Sequence, residues 1–209
     1  MIGRMVPNNT YTLSRPTLCM IVGVPASGKT MLALQLAKQL INSAYLSKDL
    51  IQSAFTRRER VDGQIYSLIQ GPTFQILLEY CEIQLELGKH PIIDAPFSIN
   101  HWRNDDFSDW INSFKKVANE INARLTVIRC LPPSLNNLRH RIRQRNFEWD
   151  QWKLSHWDEF LKREPLDFPI NHDDVLKVIS DQPPDQLVEN ILKNHLNANK
   201  FHMSESPGR

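Results

Sequence analysis

No stretch of about 18 consecutive apolar residues occurs in this chain, the least that a helix needs to span a bilayer, so a membrane-spanning role is not expected. There is no Cys-x-x-Cys pair and no His-Glu-x-x-His, which removes the commonest zinc and dithiol frameworks. Cysteine is scarce and odd in number: Cys19, Cys81 and Cys130 lie far apart, two of them inside apolar, strand-like runs. Buried free thiols in a reducing compartment are the expected reading. The opening MIGRMVPNNTYTLSRP lacks an apolar signal core, so secretion is not expected and a cytoplasmic setting is. Charge of one sign is also lacking. Twenty-five Lys and Arg against 23 Asp and Glu leave +2, too little to mark a nucleic-acid binder, and the 7 His add positive charge only in mild acid. No internal repeat is visible.

What is present suits one globular domain: 209 residues, 41% hydrophobic and 23% charged. Residues 1–16 read as an arm, 17–196 as the domain and 197–209 as a flexible polar tail. Within the domain, short apolar runs alternate with helical segments. Strands are expected at 17–24, 44–47, around HPIIDAPF, at 124–131 and at 175–180. Helices are expected from Thr30 to Ile41, with Leu32, Leu34, Leu36, Ala37 and Leu40 inward. Others run from Asp49 to Phe55, from Pro72 to near Gly88 and from Trp102 to Ala123. A basic helix starts near Pro133 and runs past Arg145, and a last one covers 184–195. TRRERVDG reads as an exposed charged turn. Strand and helix alternating in this way imply a parallel sheet covered on both faces.

The most specific feature is Gly23-Val24-Pro25-Ala26-Ser27-Gly28-Lys29-Thr30. It meets G-x-x-x-x-G-K-[ST] in full, after a strand and at the start of a helix. Glycines let the backbone curl so that successive N–H groups face phosphate oxygens, and the helix N-terminus adds its positive dipole end. Gly23, Pro25, Ala26, Ser27, Gly28, Lys29 and Thr30 are therefore the candidate nucleotide-binding residues. Lys29 reaches the β- and γ-phosphates, and the Thr30 hydroxyl suits Mg²⁺. Asp94 stands alone at its strand end, without the second acid of a motor ATPase, and there is no Asn-Lys-x-Asp for guanine. A small phosphotransferase remains.

Four blocks, IVGVPASGKT, YLSKDLIQSAF, LELGKHPIIDAPF and TVIRCLPPSLNNLRHRIRQRN, resemble the P-loop kinase group of AAA-type ATP-binding proteins that includes polynucleotide 5′-kinases, zeta toxins and chloramphenicol phosphotransferase. The resemblance covers most of 17–195. It implies an α/β P-loop NTPase sandwich of three layers, with a five-stranded parallel sheet in the order 2-3-1-4-5 and a helical lid over about 139–165. It implies ATP and Mg²⁺ as cofactors. It also implies that Asp49 takes the proton of an acceptor hydroxyl; the alternative is that Asp49 only caps the following helix. Asp94 would stand behind Mg²⁺ or touch the acceptor. Arg141 and Arg145 match an R-x-x-x-R lid pattern that neutralises the transferring phosphoryl group; a solvated basic helix and a nucleic-acid contact are the alternatives. Phe97 joins Asp49, Gln52 and Asp94 on the acceptor side, with His101 and Trp102 nearby. Trp149, Trp152 and Trp157 are read as core, with a stacking wall as the sharper alternative.

The acceptor reading turns on Gln52. Polynucleotide kinases of this group carry Arg at the position three residues past the catalytic Asp, and Gln52 has no charge to offer a strand phosphate. The expectation is a kinase for a hydroxyl on a small molecule. A polynucleotide or RNA 5′-hydroxyl kinase and a nucleotide-binding regulatory module with little turnover are the alternatives. The oligomeric state is not legible.

Overall fold

The computed structural model describes residues 10–56, 63–95 and 106–201. In chain order the elements are β1 (Thr10–Thr12), β2 (Thr17–Val22), α1 (Lys29–Gln39), β3 (Ser43–Ser47), α2 (Lys48–Thr56), α3 (Gly63–Glu86), β4 (His90–Asp94) and α4 (Asp106–Glu120). There follow β5 (Arg124–Leu131), α5 (Leu135–Arg145), a 3-10 turn (Glu148–Asp150), α6 (Gln151–Ser155), α7 (Trp157–Arg163), β6 (Val175–Ile179) and α8 (Pro184–Asn190). A π-turn (Ile191–His195) and β7 (Asn199–Phe201) end the described chain.

β2 shows why the sheet forms. TLCMIV is buried along its whole length, which only a strand covered on both faces permits. Its alternate side chains serve two cores. Leu18, Met20 and Val22 join Phe74, Leu77 and Cys81 of α3 with Ile111 and Phe114 of α4. Cys19 and Ile21 join Leu32, Leu36 and Leu40 with Val188, Ile191 and Leu192. All neighbours in the main sheet run parallel, in the order β3-β4-β2-β5-β6. Counted among these five strands alone, the order is 2-3-1-4-5, as expected. Among the described residues no helix is long and apolar enough to cross a membrane. All three cysteines are free and buried.

Several expectations need correction. Leu34 is exposed, and Ala33 takes the inward place instead, because the buried apolar stripe of α1 runs Leu32, Ala33 and Leu36 and continues to Leu40 at its C-cap. Pro72 lies inside α3 rather than at its start. It removes the donor for the Leu68 carbonyl, and Leu68 is 75% exposed. In the same turn the Thr73 hydroxyl donates to the Ile69 carbonyl at 2.7 Å. The basic helix stops at Arg145, where Asn146 turns left-handed at φ 48°. Asn199–Phe201 pair antiparallel with Thr10–Thr12 of the arm, beneath which Tyr11 is wholly buried. TRRERVDG lies mostly outside the described residues, as does the start expected for the helix at Trp102.

Candidate functional site

The carboxyl ends of the parallel strands are where ligands meet such sheets. β2 ends there in the glycine loop. Gly23 has φ 154°, and a Cβ on it would sit 2.5 Å from the Cys130 carbonyl oxygen on β5, so the loop can lie this close to the neighbouring strand only with glycine. Ala26 adopts a left-handed φ of 64° and Gly28, the N-cap of α1, a φ of 103°. Ser27 is fully buried. Its carbonyl receives three donors from three directions: Ser180 Oγ at 2.7 Å, Cys130 Sγ at 3.2 Å and Arg141 Nη1 at 3.3 Å. Burial pushes the Cys130 thiol up to about 11, so it remains the protonated donor.

Beside the loop lies a cavity of about 490 Å³. Ala26, Gly28, Lys29 and Thr30 line it from the loop, Asp49 from α2, and Arg141 and Arg145 from α5. Sequence reasoning missed its remaining wall, which includes Phe147, Ser180, Gln182, Pro184 and Leu187. Only position carried a signal for these: Phe147 closely follows the arginine run, and Ser180 ends the strand expected at 175–180.

Asp49 is exposed in the first turn of α2. The capping role falls to Ser47, whose Oγ accepts the Leu50 N–H at 3.0 Å. Asp94 closes β4 opposite Ser47 and is 5% exposed. Burial raises its pKa above the ordinary value, with Asp49 acting in the same direction; the Lys29 ammonium and the Thr30 hydroxyl pull it back. Tyr45 reaches Asp94 Oδ2 only weakly at 3.5 Å, and Oδ1 has no hydrogen-bond partner among the described residues. A buried carboxylate oxygen left open beside a threonine hydroxyl and an ammonium fits a hard divalent cation carried by phosphates.

The two expected lid arginines differ in their attachments. Arg141 spends both η nitrogens inward, on Ser180 Oγ and the Ser180 carbonyl, each at 2.7 Å. Arg145 is gripped side-on by Asp150, through Nε to Oδ2 and through Nη2 to Oδ1 at 2.7 Å. Its guanidinium lies 5.3 Å from the centre of the Phe147 ring. Gln52 is half-buried on α2 and outside the cavity wall, its amide nitrogen unpartnered among the described residues. Pro25 and Gly23 shape the loop without lining the cavity. Phe97, His101 and Trp102 lie outside the described residues. Trp157 packs on Phe160 in a small cluster with Val24, Leu138 and Ile142. Trp152 stacks on His156, and neither tryptophan lines the cavity.

A family model described as an AAA domain matches residues 18–166. Among solved structures, a candidate kinase from Chloroflexus aurantiacus superposes with TM-score 0.65 at 21% identity, covering 87% of this chain and 99% of that one. A sugar kinase from Janibacter gives 0.58 at 15% identity, covering 87% and 95%. The Mycobacterium tuberculosis APS kinase in complex with AMPPNP and APS gives 0.56 at 14% identity, covering 86% and 96%. These likenesses are of fold. No curated relative matches the chain.

Proposed function

The chain belongs to the AAA domain family, and on that premise we propose that it is an ATP-dependent phosphotransferase acting on a hydroxyl of a small molecule. The observation that carries this reading is convergence. Lys29, Thr30, Asp49 and Arg145 come from three separate elements to line one cavity, with Asp94 behind them.

The loop amides and Lys29 hold the phosphates of ATP, and Arg145 faces the transferring group. Asp49 orients the acceptor hydroxyl and takes its proton as the new oxygen–phosphorus bond forms and the bond to ADP breaks. Ser47's capping of α2 leaves the Asp49 carboxylate for this role. Thr30 and Asp94 are the residues that would hold Mg²⁺, which supplies charge neutralisation between the phosphates. Arg141 is assigned to bracing the loop against Ser180 rather than to the phosphates, because Nη1 bonds Ser180 Oγ and the Ser27 carbonyl and Nη2 bonds the Ser180 carbonyl.

The small-molecule acceptor is supported by how the arginines of α5 are used. Arg139 donates to the Leu154 carbonyl at 3.4 Å and lies over Trp157; Arg141 and Arg145 are engaged as above. Three of the cations that a strand-binding groove would need therefore have work inside the protein. The test is transfer from labelled ATP to small hydroxylated metabolites, nucleotide sugars and 5′-hydroxyl oligonucleotides, with Lys29→Ala as control. Acceptor-dependent transfer to a small molecule, lost in Lys29→Ala, is expected. Efficient oligonucleotide phosphorylation that weakens steeply with salt would transfer the reading to a polynucleotide kinase. ATP binding without turnover on any acceptor would make the protein a regulatory module.

A further inference from the structure

Asp150 is an acid for which the scheme above has no use, yet it is among the most buried charges of the molecule, at 1% exposure. It is contributed by the 3-10 turn that follows the left-handed stop at Asn146, which folds the chain back against the end of α5. It stands at the N-cap position of α6 but makes no capping hydrogen bond with its side chain. Both carboxylate oxygens go instead to cations: Oδ2 to Arg145 Nε, and Oδ1 to Arg145 Nη2 at 2.7 Å and Lys153 Nζ at 2.6 Å. It does not line the cavity; Arg145 does.

We infer that Asp150 is the positioning residue for Arg145, fixing the guanidinium plane so that its Nη1 edge, without a hydrogen bond among the described residues, faces the γ-phosphate of the bound nucleotide. A side-on grip through Nε and Nη2 leaves one edge of a planar fork available and decides where that edge points. The Phe147 ring, 5.3 Å from the guanidinium carbon, limits movement on one side. An ungripped arginine would have to give up rotamer freedom when the nucleotide arrives, and this one has given it up already. Burial alone would raise the Asp150 pKa, but the hydrogen bonds and charges of Arg145 and Lys153 outweigh it and hold the group below its ordinary value. It stays ionised at neutral pH. The inference rests on the nucleotide-site reading above, because it assigns Nη1 a phosphate to meet.

The test needs no acceptor. Affinities for ADP and for AMPPNP, each with Mg²⁺, are measured by calorimetry on the full chain, and their ratio reports what the γ-phosphate contributes. In Asp150→Asn the AMPPNP affinity should fall about tenfold, the scale of one charge-assisted hydrogen bond in a cleft, with ADP within about twofold. Arg145→Ala should lose the same amount, and the double variant no more than either single one. A merely structural role would lower both affinities together, or add to the loss in the double variant; either result overturns the inference. Removing one partner of a buried pair can unfold a protein, so Arg145→Lys provides a second route. It keeps the charge but cannot accept the side-on grip, and it should lose the γ-phosphate contribution as Arg145→Ala does. Retention of that contribution within about twofold in Arg145→Lys also overturns it. Failure of the unaltered protein to bind either nucleotide would sink the nucleotide-site reading itself, a result distinct from normal binding that Asp150→Asn leaves unchanged.

Discussion

Gly23→Ala offers a direct measure of how tightly the phosphate loop is seated on the sheet. Two effects add. The backbone sits at φ 154°, where a side chain is strained by about 1–3 kcal/mol. The new methyl would lie 2.5 Å from the Cys130 carbonyl oxygen and 2.7 Å from Ser27 Oγ. The first of these is backbone of a central strand and cannot turn aside, so overpacking of about 1–3 kcal/mol follows. The sum, about 2–6 kcal/mol, is a large part of the roughly 5–15 kcal/mol that holds a domain together. For a chain of this size the melting temperature should drop by on the order of 10 °C. Gly88→Ala isolates the first effect: its φ is 69°, and no atom lies within 4 Å of the added carbon. Only about 1–2 kcal/mol of left-handed strain is expected there. It lies beyond the far end of α3, just before the start of β4, so ADP affinity should be unchanged, while Gly23→Ala should weaken ADP at least tenfold as the loop lifts from β5. Chemical denaturation and ADP titration of both variants give the comparison. Equal destabilisation of the two variants, with ADP affinity preserved in both, would refute the close seating of the loop.

Three further outcomes are expected. Asp49→Asn should slow transfer by roughly a hundredfold while leaving ATP affinity nearly intact, the pattern of a positioned base in steady-state kinetics. Arg141→Ala should behave differently from Arg145→Ala, lowering the unfolding free energy by about 1–3 kcal/mol and weakening ADP and AMPPNP alike, because its bonds tie the Ser27 carbonyl of the loop to Ser180. Asp94 has a folded pKa raised above 3.8, so without Mg²⁺ its burial favours folding fully only below the unfolded value, and that advantage is lost as pH rises through the folded value. Asp94→Asn should therefore stabilise the free protein more at pH 7 than at pH 4 in denaturant titrations, and should remove the Mg²⁺-dependent part of nucleotide affinity.

Much of the fold was legible because each strand of the main sheet is a short apolar run flanked by a helical period; β2 and β5 could scarcely be anything else. The phosphate loop was legible because its chemistry needs fixed spacing within eight residues. The misplacements have local physical causes. Pro72 looked like a helix start because the sequence does not show that Leu68 is exposed, where an unpaired carbonyl can meet water. Leu34 looked inward by composition, although the stripe that faces the sheet passes through Ala33. The pairing of Thr10–Thr12 with Asn199–Phe201 joins segments too short and too far apart for any periodicity to announce. Asp49 and Asp94 were singled out through the family resemblance; Asp49 lines the cavity and Asp94 closes β4. Asp150, Ser180 and Phe147 were not, since what distinguishes them is a partner across a fold-back, and a sequence does not print distances.

The triple hold on the Ser27 carbonyl has a kinetic side. In a trans peptide the carbonyl and the next amide point in opposite directions. Pinning the Ser27 oxygen to Cys130 of β5, Ser180 after β6 and Arg141 of α5 therefore fixes the Gly28 N–H in the opposite direction. Glycine-bearing peptide planes flip readily when nothing holds them, and a loop that must flip before it can bind keeps only a fraction of its molecules ready at any moment. Here the orientation is set by three donors of the protein itself. Phosphate arrival should then be a single-step encounter, its observed rate rising linearly with nucleotide concentration, without the plateau that a preceding rearrangement would impose.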